Sequence, residues 1–226
     1  MNVLLIDRKT IAEGTTEIAL DLGGQDFNFR AGQYINLCIP SLAHPDTKGN
    51  CREFSIASSP HERGIVKTAI RNSDSGFKRT LLSMPIGSTL QMDGPFGLFT
   101  IPKRQINPVV FIAGGIGITP FMSMARAAAE ATSPGNMMLI TSNHRIERAA
   151  YREEMSALEK ANPNFSVKEN IGHLTPEFLQ ETMTEVPEAV YYLAGPPKMV
   201  FEIRQALKNA GVDEDSILAE EFVGYE

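Results

Sequence analysis

The hydrophobic period of this chain changes once, near residue 102, and that change limits what it can fold into. Before it, apolar residues recur at every second position: Thr16, Ile18, Leu20 and Leu22 share one side, as do Ile35, Leu37 and Ile39, then Val66, Thr68 and Ile70. A period of two marks strands with one buried face. Turn formers stand between these segments at Leu22-Gly23-Gly24, Pro40-Ser41, residues 46–50 and Ile86-Gly87-Ser88, at intervals that suit a small antiparallel barrel or sandwich. After Pro102 the apolar residues come in solid runs, 109–113, 137–141 and 190–194, separated by helix-like stretches at 120–131, 147–160 and 199–210. Strands apolar on both faces belong to a parallel sheet covered by helices, and a β-α-β-α series builds a doubly wound sheet. The sequence therefore predicts two domains: an antiparallel β-barrel over residues 1–101 and an α/β doubly wound parallel sheet over residues 102–226, with the boundary in the polar, basic segment around Pro102 and Pro108.

Composition excludes several function classes. With 21 basic and 27 acidic residues, for a net charge of −6, the chain lacks the positive field that holds a nucleic-acid backbone. The N-terminal MNVLLIDRKT has only a short aliphatic run before Asp7, too short for a signal peptide or a membrane span, so a cytoplasmic protein is expected. The two cysteines, Cys38 and Cys51, form no C-x-x-C pair, and the four histidines, His44, His61, His144 and His173, show no ligand spacing. No bound metal is expected, and a reducing compartment argues against a disulfide between the two cysteines.

The first motif follows the first solid apolar run. Residues 109–120, VVFIAGGIGITP, give a strand, three glycines and a helix start. Gly115 and Gly117 let backbone amides approach a diphosphate, and the helix beginning at Thr119-Pro120 aims its positive end there. Thr119 is a candidate cap and Pro120 suits a first helical turn. The bland reading is a glycine-rich turn that serves strand-to-helix geometry alone.

A second motif lies in the first domain. Arg52-Glu53-Phe54-Ser55-Ile56-Ala57-Ser58 places a permanent cation, an aromatic ring and a hydroxyl on one segment. Arginine can grip a diphosphate bidentately, the ring can lie on a flat heterocycle and the hydroxyl can hydrogen-bond a redox nitrogen. On a regular strand, Arg52, Phe54 and Ile56 point one way and Ser55 the other, so a bend is expected if all serve one ligand.

Together with Gly94-Pro95-Phe96-Gly97, Ala194-Gly195-Pro196-Pro197-Lys198-Met199 and the ending Glu220-Glu221-Phe222-Val223-Gly224-Tyr225, these motifs resemble the ferredoxin–NADP reductase superfamily of flavoproteins over essentially the whole chain. The resemblance implies an FAD-binding barrel followed by a nicotinamide-nucleotide domain, with no iron–sulfur module. Carried over, Arg52 would hold the FAD diphosphate, Phe54 would lie against the isoalloxazine where relatives have Tyr, and Ser55 would hydrogen-bond near flavin N5. Ile70 and Arg71 would lie near the adenosine or ribityl portion. Gly76, Phe77 and Lys78 stand where relatives contact the diphosphate. Gly115, Gly117 and Thr119 would receive the NAD(P)H diphosphate, and Gly195, Pro196 and Pro197 would border the nicotinamide. Ala194 replaces a cysteine common in relatives.

Ser142 with Arg145 or Arg148 tilts the coenzyme expectation toward NADPH over NADH, since no acidic residue ends that strand; the alternative is a solvated helix start. At the C-terminus, Tyr225 or Phe222 could cover the flavin face, and Glu221 could reach the reacting centre. The expected activity is FAD-dependent hydride uptake from NAD(P)H, with delivery to an external acceptor such as a ferredoxin, an oxygenase component or a small molecule. The alternatives are a free-flavin or ferric reductase and a non-catalytic flavin-binding module.

Overall fold

The computed structural model describes residues 1–102, 105–131 and 135–222. The first domain comprises β1 (Asn2–Ala12), β2 (Thr15–Asp21), β3 (Tyr34–Cys38), β4 (Cys51–Ser55), β5 (Ile65–Arg71), α1 (Gly76–Ser83) and β6 (Thr89–Phe96). The strands form one antiparallel sheet in the order β4-β3-β6-β1-β2-β5. Its two outer strands approach through an Ile56–Thr68 bridge and an Ala57 N–H donated to the Lys67 carbonyl at 2.7 Å, which closes the sheet toward a barrel. The alternating residues Ile18, Leu20, Ile35, Leu37, Val66 and Ile70 all point into its core, as a period of two requires. Helix α1 adds Phe77 and Leu81 to that core and is capped by Ser75, whose hydroxyl accepts the Lys78 N–H.

Cys38 and Cys51 face each other in the β3–β4 register and are joined as a disulfide. This corrects the expectation of free thiols, which rested on compartment alone. Register decides the matter here, because directly opposed residues on antiparallel strands bring their β-carbons within bonding range.

The second domain comprises β7 (Val109–Gly114), α2 (Ile118–Ala131), β8 (Met137–Asn143), α3 (Arg152–Ala161), β9 (Phe165–Ile171), α4 (Pro176–Glu185), β10 (Val190–Gly195), α5 (Pro197–Asn209) and β11 (Ile217–Glu221). Its parallel strands run in the order β11-β10-β7-β8-β9. Val109, Phe111 and Ala113 pack against Phe121, Met122 and Met124 of α2 and Met155 of α3. Val110 and Ile112 pack on the other face, against Leu179 of α4 and Val200, Ile203 and Leu207 of α5. Helix α3 starts at Arg152 rather than 147, because Tyr151 adopts a left-handed backbone (φ 63°) that a helix cannot run through. Strand order reverses between β7 and β10, so the crevice at their carboxyl ends is where a doubly wound sheet takes its ligand.

The domains share a core. Ala57, Ala69 and Phe99 sit in the same apolar cluster as the inner face of α2. A β-carbon on Gly32 would stand 2.0 Å from the Phe99 carbonyl oxygen and 2.4 Å from Met124 Cε, so only glycine fits that junction. Ser123 donates to the Ser58 carbonyl at 2.6 Å and Arg126 donates to the Ala57 carbonyl at 2.7 Å, which fixes α2 beside the end of β4.

Candidate functional site

A cavity of about 750 Å³ opens where the domains meet, walled by Arg52, Ser55 and Lys78 from the barrel and by Ile116, Thr119 and Glu220 from the sheet. That volume lies within the roughly 300–1,000 Å³ typical of ligand sites.

One end is cationic. Arg52 Nη1 donates to the carbonyls of Lys48, Gly49 and Cys51, at 3.0, 3.0 and 2.6 Å. Its Nη2 forms an ion pair with Asp46 Oδ1 at 2.6 Å, and its guanidinium lies over the Phe77 ring, 5.2 Å from the centroid. Lys78 is buried, and its ammonium is pushed down to about 8, first by burial and then by Arg52, Arg71 and Lys48. Phe77 is fully buried, with its N–H donated to Asp46 Oδ2 at 2.8 Å. Gly76 passes so close to the preceding loop that a β-carbon there would stand 2.1 Å from the Pro45 carbonyl oxygen. Phe54 borders the cavity but is 3% exposed, with its ring 5.9 Å from that of Phe77. The side chain of Ile70 is fully buried in the barrel core, not on the cavity wall. The run from Phe54 to Ser59 is buried without alternation, since β4 ends at Ser55 and the chain turns into the domain junction.

The other end holds Ser55, whose carbonyl accepts the Thr68 hydroxyl at 2.9 Å, and the paired acids of β11. Glu221 lines the cavity but is exposed. Glu220 is the more enclosed of the two: its Oε2 is buried and has no hydrogen-bond partner among the described residues. Burial, with the Glu53 carboxylate adding to it, pushes its carboxyl up to about 7. Sequence reading singled out Glu221; a strand puts neighbouring residues on opposite faces, and only the fold shows which face is enclosed. Phe222 lines the cavity and donates its N–H to the Gly195 carbonyl at 2.9 Å. Tyr225 lies outside the described residues. Tyr34, also on the wall, packs on Phe96 at 5.7 Å.

The glycine loop divides into two roles. A β-carbon on Gly117 would stand 2.2 Å from the Ala194 carbonyl oxygen, so Gly117 serves the close approach of loop to β10. Gly115 adopts φ +54°, and a β-carbon there would be 3.1 Å from Arg71 Nη2. Arg71 thus reaches from the barrel to the loop of the other domain, held by a bond from Nη1 to Thr15 Oγ1 at 2.9 Å. Residues 115–117 form a short 3-10 turn that leads into α2 at Ile118. Thr119 is therefore inside the helix rather than at its cap, and its hydroxyl donates to the Ile116 carbonyl at 2.7 Å. At the facing strand end, Gly195 packs on Gly114, while Pro196 precedes α5 and Pro197 opens it.

At the end of β8, Ser142 donates to the Gly172 carbonyl at 2.7 Å. Arg145 forms an exposed ion pair with Glu13 of the β1–β2 turn. The His144 and His173 rings meet edge to face beside them, at 6.2 Å.

These residues fit a flavin dinucleotide and a nicotinamide dinucleotide: a cationic end with a helix N-terminus, an orphaned buried carboxyl oxygen at the other end, and a left-handed glycine in a strand–helix crevice faced by Arg71. Comparison with known proteins agrees. Residues 2–101 match the family model "Oxidoreductase FAD-binding domain" and residues 111–205 match "Oxidoreductase NAD-binding domain". The chain is 31% identical over 176 residues to ferredoxin–NADP reductase B of Sorangium cellulosum, covering 76% of this chain and 70% of that one. It is 29% identical over 234 residues to the phenol hydroxylase P5 protein of Acinetobacter pittii, covering 97% and 64% respectively. It also spans about half the length of flavohemoproteins that it matches, 53% of the one from Rhodopirellula baltica. Among solved structures, the FAD/NAD-binding domain of nitric oxide dioxygenase from Vibrio cholerae superposes with a TM-score of 0.84 at 18% identity, over 98% of both chains, which shows the fold. The chain belongs to the ferredoxin–NADP reductase family, with one FAD-binding and one NAD-binding domain.

Proposed function

We propose that the protein is an FAD-dependent NAD(P)H reductase that passes electrons to an external acceptor. The observation that carries this reading is a cavity walled by both domains, with Ser55 of the barrel and Glu220, Ile116 and Thr119 of the sheet domain on its walls. A module that only held flavin would need no second nucleotide crevice opening onto the same space.

FAD, when bound, supplies the redox chemistry, taking a hydride and releasing electrons. The work left to this chain is binding and orientation. Arg52 and Lys78 bring positive charge to the diphosphate end, with the N-terminus of α1 beside them. Ser55, fixed through its carbonyl by Thr68, presents its hydroxyl at the ring end. Glu220 keeps a proton up to about pH 7 and so offers a hydrogen-bond donor where an ordinary carboxylate offers none. Arg71 and the Gly115 turn hold the diphosphate of the hydride donor, while Gly195, Pro196 and Pro197 border its nicotinamide. The docking of α2 on residues 57–58 excludes water from the space between.

NADPH is the favoured donor in this reading, because no carboxylate ends β8 and Arg145 pairs with Glu13 in an exposed contact, which contributes little and can be given up to a 2′-phosphate. The acceptor is a partner protein of the reductase-component kind, with a small ferric or flavin acceptor as the alternative. Anaerobic addition of NADPH or NADH to the purified yellow protein tests the assignment. Bleaching of the flavin band supports it; an unchanged band with both donors contradicts it. FAD retained stoichiometrically through gel filtration argues against flavin as an exchangeable substrate.

A further inference from the structure

We propose that Asp46 is an internal counter-anion of the cofactor's diphosphate site, bound there in the empty protein and displaced when the dinucleotide enters. The inference rests on the FAD reading above and concerns how that site is regulated.

Two donors that suit a diphosphate, the Arg52 guanidinium and the Phe77 N–H, are already met by one loop. Asp46 Oδ2 accepts the Phe77 N–H at the start of α1, at 2.8 Å. Its Oδ1 accepts the Lys48 N–H at 2.9 Å and pairs with Arg52 Nη2 at 2.6 Å. The remaining Arg52 bonds go to carbonyls of residues 48, 49 and 51. The Asp46 side chain is 4% exposed, although it sits in the connection between β3 and β4, residues 39–50, read from sequence as a plain turn. The amides of Phe77 and Lys48, with Arg52, hold its carboxyl below the usual range, so it carries its full charge at neutral pH.

Charge balance gives the exchange its direction. Arg52, Arg71 and Lys48 all act on the Lys78 ammonium, and Asp46 brings a single negative charge to this cluster. A diphosphate brings about two, with more acceptor oxygens, and displaces a single carboxylate. The loop stays attached while it moves, because the Cys38–Cys51 disulfide ties its two ends, and Gly76 lets its backbone lie directly on α1. Asp46 thereby partly neutralises the cationic end before the dinucleotide binds and lowers the affinity for FAD.

The test is a titration of apo-protein with FAD, followed by flavin fluorescence, for wild type, Asp46→Asn and Asp46→Ala, together with apo-protein melting temperatures. Asp46→Asn preserves shape should the alanine variant fold poorly. Both variants are expected to melt lower than wild type when empty and to bind FAD about tenfold more tightly. FAD affinity equal to or weaker than wild type overturns the proposal. Inorganic pyrophosphate separates the two readings. If no protein binds FAD but pyrophosphate stabilises Asp46→Asn more than wild type, the flavin assignment falls and the counter-anion stands. If neither ligand distinguishes variant from wild type, the counter-anion falls.

Discussion

Arg126 on α2 donates from Nη1 to the Ala57 carbonyl at 2.7 Å, two residues beyond Ser55 on the cavity wall. The same guanidinium meets Glu154 at 2.6 and 2.8 Å, pairs with Glu17 at 3.3 Å and lies over the Tyr151 ring at 5.3 Å. One buried cation therefore joins β2, the end of β4, α2 and α3. Burial opposes its charge, and the Glu154 carboxylate more than offsets that opposition. Arg126→Met is expected to destabilise the protein by about 3 kcal/mol, since it strands the Glu17 carboxylate and a buried carbonyl. Urea unfolding checks this; a change below 1 kcal/mol would mean that the apolar contacts alone hold the domains.

Glu220 gives the account a pH signature. Its folded carboxyl titrates near 7, against 4.5 unperturbed. Between those values the folded chain keeps a proton that the unfolded chain has lost, so this group's contribution to stability falls as pH rises through that window. Glu220→Gln is expected to remove the fall and to melt higher than wild type above pH 7. Melting curves from pH 5 to 8 decide it, and parallel curves for the two proteins would rule out the raised carboxyl.

Arg71 separates two roles. It stands against Gly115 of the other domain, so Arg71→Ala is expected to raise the KM for NAD(P)H on the order of tenfold, the worth of one charge-assisted contact, while FAD content stays at wild-type level. Loss of FAD with an unchanged KM would return Arg71 to the flavin site.

The loop glycines make a paired prediction. Gly117→Ala drives a β-carbon against the Ala194 carbonyl, and backbone cannot yield cheaply, so a loss of about 1–3 kcal/mol is expected. Gly115→Ala meets only the mobile end of Arg71 and a left-handed φ, costing roughly 1 kcal/mol, but it should weaken NAD(P)H binding. Melting temperature and KM, measured on both variants, should therefore move in opposite order.

Much of this fold was legible in the sequence because burial follows period. Ile18, Ile35 and Val66 alternate with polar neighbours and fill the barrel, and the solid run 109–113 is buried on both faces. Helix α1 was not read as a helix, since its eight residues make only about two turns, too short for the buried spacing of Phe77, Thr80 and Leu81 to repeat. The glycine loop and Arg52 declared themselves by residue type, whereas Glu220 and Asp46 did not. Which of two adjacent acids is enclosed depends on which side β10 and the barrel lie. That a loop aspartate reaches back to the start of α1 depends on contacts thirty-one residues apart. The Cys38–Cys51 bond needed the strand register, which a separation of 13 residues does not reveal.

In the proposed function, Ser55 on the wall of the shared cavity orients hydride transfer between two bound nucleotides. Stopped-flow reduction by NADPH under anaerobic conditions, in wild type and Ser55→Ala at matched FAD occupancy, tests it most directly. Flavin reduction is expected to slow at least about tenfold in Ser55→Ala, with FAD retained; equal rates at equal occupancy would contradict that role.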